Sequence, residues 1–195
     1  MLIAGGSPAC DLADPDALQR ACTGADAVFG LSVPFGEGGK DEEVAQGHLL
    51  VDTVARLDAH LVYSSVRGGD RLEATNVDHA DSKQLIEAYL REQPVRATVL
   101  GPVYFMENAL NLGFSRLGDG MLANPLTPGK PLDQVSVLDI AGLAVHAVEN
   151  PDEFESFENN TDFLDIETLH AKYPAVRWHS YAEWAKTVDW DRALA

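Results

Sequence analysis

The chain has 195 residues, 46% apolar and 8% aromatic, which suits one domain, or one domain with a small appendage, and excludes global disorder. Its 31 acidic against 14 basic residues leave a formal charge of −17, a surface that repels nucleic-acid backbones and anionic lipid unless a basic patch interrupts it. None does, because Arg67 and Arg71 are diluted by Asp70 and Glu73, so neither a nucleic-acid nor a membrane partner is expected.

Cys10 and Cys22 have no Cys-x-x-Cys or Cys/His spacing and read as reduced thiols of a cytoplasmic protein. No apolar run approaches the ~18 residues of a membrane span. A helix starts at Asp14-Pro15, where Asp is a good N-cap and Pro fits the first helical position, and it ends at Gly24. Ala25 to Ser32 (ADAVFGLS) has the length and composition of a strand. After a turn at Gly36 to Gly39, the segment Asp41 to Leu57 places Val44, Leu49, Leu50, Val54 and Leu57 along one helical stripe, with Glu42 and Glu43 read as solvated carboxylates. Leu61 to Ser65 is a second strand. Ser82 to Arg91, with Leu85, Ile86, Tyr89 and Leu90, is a helix, and Val95 to Leu100 is a third strand.

This alternation predicts an α/β fold, a partial Rossmann-like doubly wound parallel sheet with C-terminal helices. The three strands are expected to be adjacent and parallel in chain order. Any strand near Ile3 to Cys10 should pair directly with Ala25 to Ser32. Ligands of such sheets lie beyond the carboxyl ends of the strands, which singles out the loops Asp11 to Asp14, Ser32 to Gly39, Ser64 to Asp78 and Gly101 to Asn108.

In and beside those loops stand Asp11-Leu12, Tyr63-Ser64-Ser65, His79-Ala80-Asp81-Ser82-Lys83 and Gly101-Pro102-Val103-Tyr104-Phe105-Met106-Glu107-Asn108. Further on come Leu169-His170, Tyr173-Pro174 and Tyr181-Ala182-Glu183-Trp184. In this order and spacing the sequence resembles the NmrA-like proteins, a branch of the atypical short-chain dehydrogenases that bind NAD(P) on a Rossmann fold. The resemblance implies a cofactor-binding region over 1–150 and a reduced helical substrate region over 151–195. It implies that Asp11 accepts from the adenine amino group while Leu12 lies against the ring. Ser32, Val33 and Pro34 would pass under a ribose, or form an ordinary turn, and Ser64 ends the next strand at the same crevice.

Lys83 carries most of the chemistry. The wider superfamily uses Tyr-x-x-x-Lys on one helix, since residues four apart share a face; here the pair is His79-x-x-x-Lys83. The resemblance implies that Lys83 holds the nicotinamide ribose and that His79 exchanges a proton near neutral pH. The competing readings are an exposed lysine paired with Glu87 and a structural histidine. Pro102, Val103, Tyr104 and Phe105 would border the nicotinamide and Asn108 the substrate, although the two aromatics suit a core equally well.

The sequence departs from the family at its start, where a strand, a Gly-x-x-Gly-x-x-Gly turn and a helix N-terminus should hold the cofactor pyrophosphate. Ala4-Gly5-Gly6-Ser7 leaves no room for that helix before Pro15. Truncation is therefore expected, by a misplaced start, gene decay or a real small variant, with NADP or NAD bound weakly or not at all and self-association at uncovered strand edges. The six histidines have no metal-ligand spacing, and no Gly-x-Ser-x-Gly elbow occurs. The expected function is NAD(P)H-dependent oxidoreduction of a quinone or carbonyl-type small-molecule ligand. The alternative is a non-catalytic redox-sensing or regulatory protein.

Overall fold

The computed structural model describes residues 10–69, 75–111, 115, 126–127, 129–154 and 166–194. The strand considered near Ile3 to Cys10 lies, Cys10 apart, outside them, as does Ala4-Gly5-Gly6-Ser7. Helix α1 (Pro15–Cys22) begins as its sequence dictates, with the Asp14 carboxylate accepting from the amides of Asp16 at 2.9 Å and Ala17 at 3.1 Å. It stops at Thr23, and Gly24 turns the chain at φ +79°, a conformation that costs glycine little.

Strand β1 (Ala27–Gly30), helix α2 (Gly39–Arg56), strand β2 (His60–Ser64), helix α3 (Asp78–Glu92) and strand β3 (Ala97–Leu100) follow. The sheet order is β1-β2-β3 and both pairings are parallel, with Ala27 opposite His60 and Leu61 opposite Ala97. The α/β class and the strand order read from the sequence both hold. Every residue of β2 is buried, as a central strand covered on both faces requires.

Leu18 and Cys22 of α1, Leu50, Val51 and Val54 of α2, and Ile86 and Leu90 of α3 close one core with Val28, Leu61, Tyr63 and Ala97 of the strands. Of the stripe that apolar spacing suggests on α2, Leu50 and Val54 are buried while Val44, Leu49 and Leu57 pack partly on the core, and the buried face also takes in Glu43, Gly47 and Val51. Gly47 faces α3. A Cβ there would lie 2.5 Å from Ile86 Cδ1, so the missing side chain lets α2 and α3 approach closely.

Contacts group the described residues otherwise than a single break at 150 would. One compact unit holds those up to Gly101 and resumes at Ala144 as far as Phe154. The second holds those from Pro102 to Leu143 and from Ile166 onward. In the second unit β4 (Tyr104–Phe105) pairs in parallel with β5 (Gln134–Val135), and a 3-10 turn (Met106–Leu110) follows β4. Helix α4 (Val137–Glu149) belongs to both units in sequence; then come a 3-10 turn (Pro151–Phe154) and helices α5 (Ile166–Lys172), α6 (Tyr181–Thr187) and α7 (Trp190–Ala193). Ser180 and Glu183 form a capping box at α6, and Trp184 is buried against Met106 and Ala109.

Candidate functional site

At the carboxyl ends of β1 and β2 the first unit buries a charged group. Lys83, only 6% exposed, reaches from α3 to the end of β1. Its ammonium donates to the carbonyl of Ser32 at 2.7 Å and to the Tyr63 hydroxyl at 3.1 Å, and it pairs with Glu43 Oε1 at 2.9 Å. Three acceptors for three protons leave the ammonium fully hydrogen-bonded. Glu43, 0% exposed on α2, also accepts from the hydroxyls of Ser82 and, at 3.3 Å, Ser32. Ser32 and Tyr63 lie 3.3 Å apart through their hydroxyl oxygens, so five residues from two strand ends and two helices close one buried polar network.

Burial pushes the Lys83 ammonium below the ordinary lysine range, because charge is costly away from water; Glu43, and then Glu87, push it back up. Burial likewise raises the Tyr63 hydroxyl, which stays protonated. The alternative reading of Lys83 as an exposed lysine is corrected, as is that of Glu43 as a solvated carboxylate. Its neighbour Glu42 is the exposed one, accepting from the Gly38 amide at 3.1 Å. Glu87 instead accepts from the Ser65 hydroxyl and pairs with Arg91 at 2.8 Å. A Cβ on Gly69 would meet Glu87 Oε1 at 2.0 Å, so this glycine lets the loop after β2 fold onto α3.

Other candidates sit in varied surroundings. Ser64 is buried at the end of β2, whereas His79 is exposed in the first turn of α3. Val33 is 51% exposed, and with Leu31 at 48% and Phe35 at 81% it gives the loop after β1 an apolar surface; Pro34 between them is half-buried. Asp11 is exposed and spends Oδ1 on the Ala13 amide at 2.8 Å, while Leu12 packs partly on the core. Pro102, Val103, Tyr104, Phe105 and Asn108 belong to the second unit, where Asn108 hydrogen-bonds Tyr104 and burial raises the Tyr104 hydroxyl. Among the described residues no cluster of His, Cys, Asp and Glu could hold a metal ion.

The sequence pattern of the NmrA-like family matches residues 8–162. The chain belongs to the NmrA-like family. Its fold is shared with the NADPH-dependent quinone oxidoreductase QOR2 of Escherichia coli, solved with NADPH, at a TM-score of 0.57 and 19% identity over 71% of this chain and 47% of that one. It is shared also with the triphenylmethane reductase of Citrobacter sp., at a TM-score of 0.53 and 17% identity over 77% and 49%. The NmrA-like chain thus spans just under half the length of either reductase, and at these identities the likeness is one of fold.

Sequence reasoning missed Glu43, Tyr63 and Ser82 as members of the network. A signal for Glu43 was present, since it precedes Gly47 by four residues and Leu50 by seven and so continues the buried stripe of α2.

Proposed function

We propose that this NmrA-like chain binds a nicotinamide cofactor, NADP or NAD, at the carboxyl ends of β1 and β2, and uses it to reduce a quinone or carbonyl-type small molecule. The observation that carries the reading is the Lys83 ammonium, held at the end of β1 by the Ser32 carbonyl. Parallel sheets bind ligands at this place.

The residues fit the ribose and nicotinamide half of such a cofactor in kind. Lys83 and Ser32 offer a cation and a hydroxyl for ribose oxygens, and Leu31, Val33 and Phe35 offer apolar surface for a flat ring. A ribose hydroxyl would take the place of the Tyr63 hydroxyl at 3.1 Å, the longest of the three close Lys83 contacts. When bound, the cofactor supplies the hydride. The chain's part is to fix the ribose through Lys83 and to present His79, exposed one turn earlier on α3, for proton exchange.

One observation favours a second reading, a redox sensor that binds without turnover. Lys83 is satisfied by its own chain and Tyr63 is 0% exposed, so neither stands free to act on a substrate. Titration with NADPH and NADH, followed by an oxidation assay with a quinone acceptor, separates the readings. Binding with turnover supports the reductase and binding without it the sensor; no saturable binding overturns both. Lys83→Met should weaken binding about 10- to 150-fold, the worth of a hydrogen bond to a charged group at ~1.5 to 3 kcal/mol.

A further inference from the structure

We propose that Glu43 is a positioning residue, which holds the Lys83 ammonium charged and in place at the carboxyl ends of β1 and β2. Two geometric facts carry this. Glu43 is wholly buried, and among the described residues its carboxylate pairs and hydrogen-bonds with groups of the strand-end network: Lys83 at 2.9 Å, Ser32 at 3.3 Å and Ser82. It also joins helices that Gly47 brings together, so its reach to Lys83 depends on a packing feature one turn away on the same helix.

A buried carboxylate with no apolar service to the core is costly unless it meets a cation. The groups facing Lys83 can be named. Glu43 comes from α2, Tyr63 from β2, and Glu87 from α3 itself. Tyr63 is neutral, and the Glu87 carboxylate is committed to Ser65 and Arg91. Glu43 is therefore the one carboxylate in direct contact with the ammonium among the described residues. Burial weakens the hold of Lys83 on its proton, and Glu43 opposes that.

What Lys83 is positioned to meet rests on the cofactor reading above; the role of Glu43 toward Lys83 does not. The test uses the full chain labelled with 13C at lysine Cε, which gives five signals, from Lys40, Lys83, Lys130, Lys172 and Lys186. In Glu43→Gln the titration midpoint of Lys83 should fall below its wild-type position while the other four stay. Glu43→Asp, which retains the charge, should keep the midpoint near wild type and guards against a glutamine variant that does not fold. An unmoved midpoint in Glu43→Gln, or an equal fall in both variants, overturns the inference.

NADPH titration of the same proteins is the second arm. As pH rises, binding by Glu43→Gln should begin to weaken at a lower pH than wild-type binding does; a loss independent of pH indicates mere structural damage and overturns the inference. Absence of NADPH binding by the wild type overturns the cofactor reading alone, because the lysine titration still decides the role of Glu43.

Discussion

Lys83 and Glu43 are each buried around the other's charge, so removing one partner strands the other. Lys83→Met should cost about 3 to 5 kcal/mol, the usual penalty for an uncompensated buried charge. The double variant Lys83→Met with Glu43→Gln should recover most of that loss, since a neutral amide still bonds Ser82 and Ser32. Urea unfolding of the wild type, both single variants and the double variant measures the coupling; additive losses would contradict it. His60 gives a second residue-level expectation. It is 5% exposed at the start of β2, with Nε2 at 2.9 Å from the Thr98 hydroxyl and Nδ1 without a hydrogen-bond partner among the described residues. Burial, and then Arg96, lower its affinity for a proton. The unfolded imidazole takes up a proton near pH ~6.5 and the folded one only at lower pH, so stability falls as pH drops through that window. His60→Gln should flatten the loss between about pH 7 and about pH 5, and equal losses in variant and wild type would refute the assignment. Lys83 stood out in the sequence from its place after His79, but its burial was not legible there. A lysine spaced like an exposed helix residue enters the interior only because a carboxylate from another helix meets it, and no local pattern records that meeting.

At the scale of elements, Gly47 sets the distance between α2 and α3. Gly47→Ala would place a methyl 2.5 Å from Ile86 Cδ1 and 2.6 Å from its Cγ1, so it should destabilise by about 1 to 3 kcal/mol despite the better helix propensity of alanine. Ile86→Val, made with it, should relieve part of the strain. Thermal unfolding of the single and double variants checks this, and a Gly47→Ala protein as stable as wild type would show that the helices have slack. The three long strands were readable because each is a continuous apolar run between turns. Helix α3 begins at Asp78, four residues before its apolar pattern does, since Asp78, His79 and Asp81 make a polar first turn. Strands β4 and β5 have two residues each, too few for any periodicity, and their pairing depends on chain 30 residues away.

Over the whole molecule, a net charge of −17 confronts a dinucleotide that is itself an anion. Screening should therefore help the encounter, and NADPH affinity should rise between about 0.02 and about 0.5 M salt. An affinity that falls with salt would reveal a basic patch that composition hides. The division into two units was not legible, because each unit gathers segments that are far apart in sequence, and helix α4 contributes residues to both. The central claim is that the strand ends around Lys83 bind a nicotinamide cofactor, and backbone amide spectra recorded during an NADPH titration test it most directly. Saturable shifts are expected for the amides of Leu31, Ser32, Val33 and Phe35 after β1, for Ser64 to Arg67 after β2, and around Lys83, with a dissociation constant weaker than micromolar. No saturable shift at about 10 mM NADPH, or shifts confined to residues after Gly101, would contradict the account.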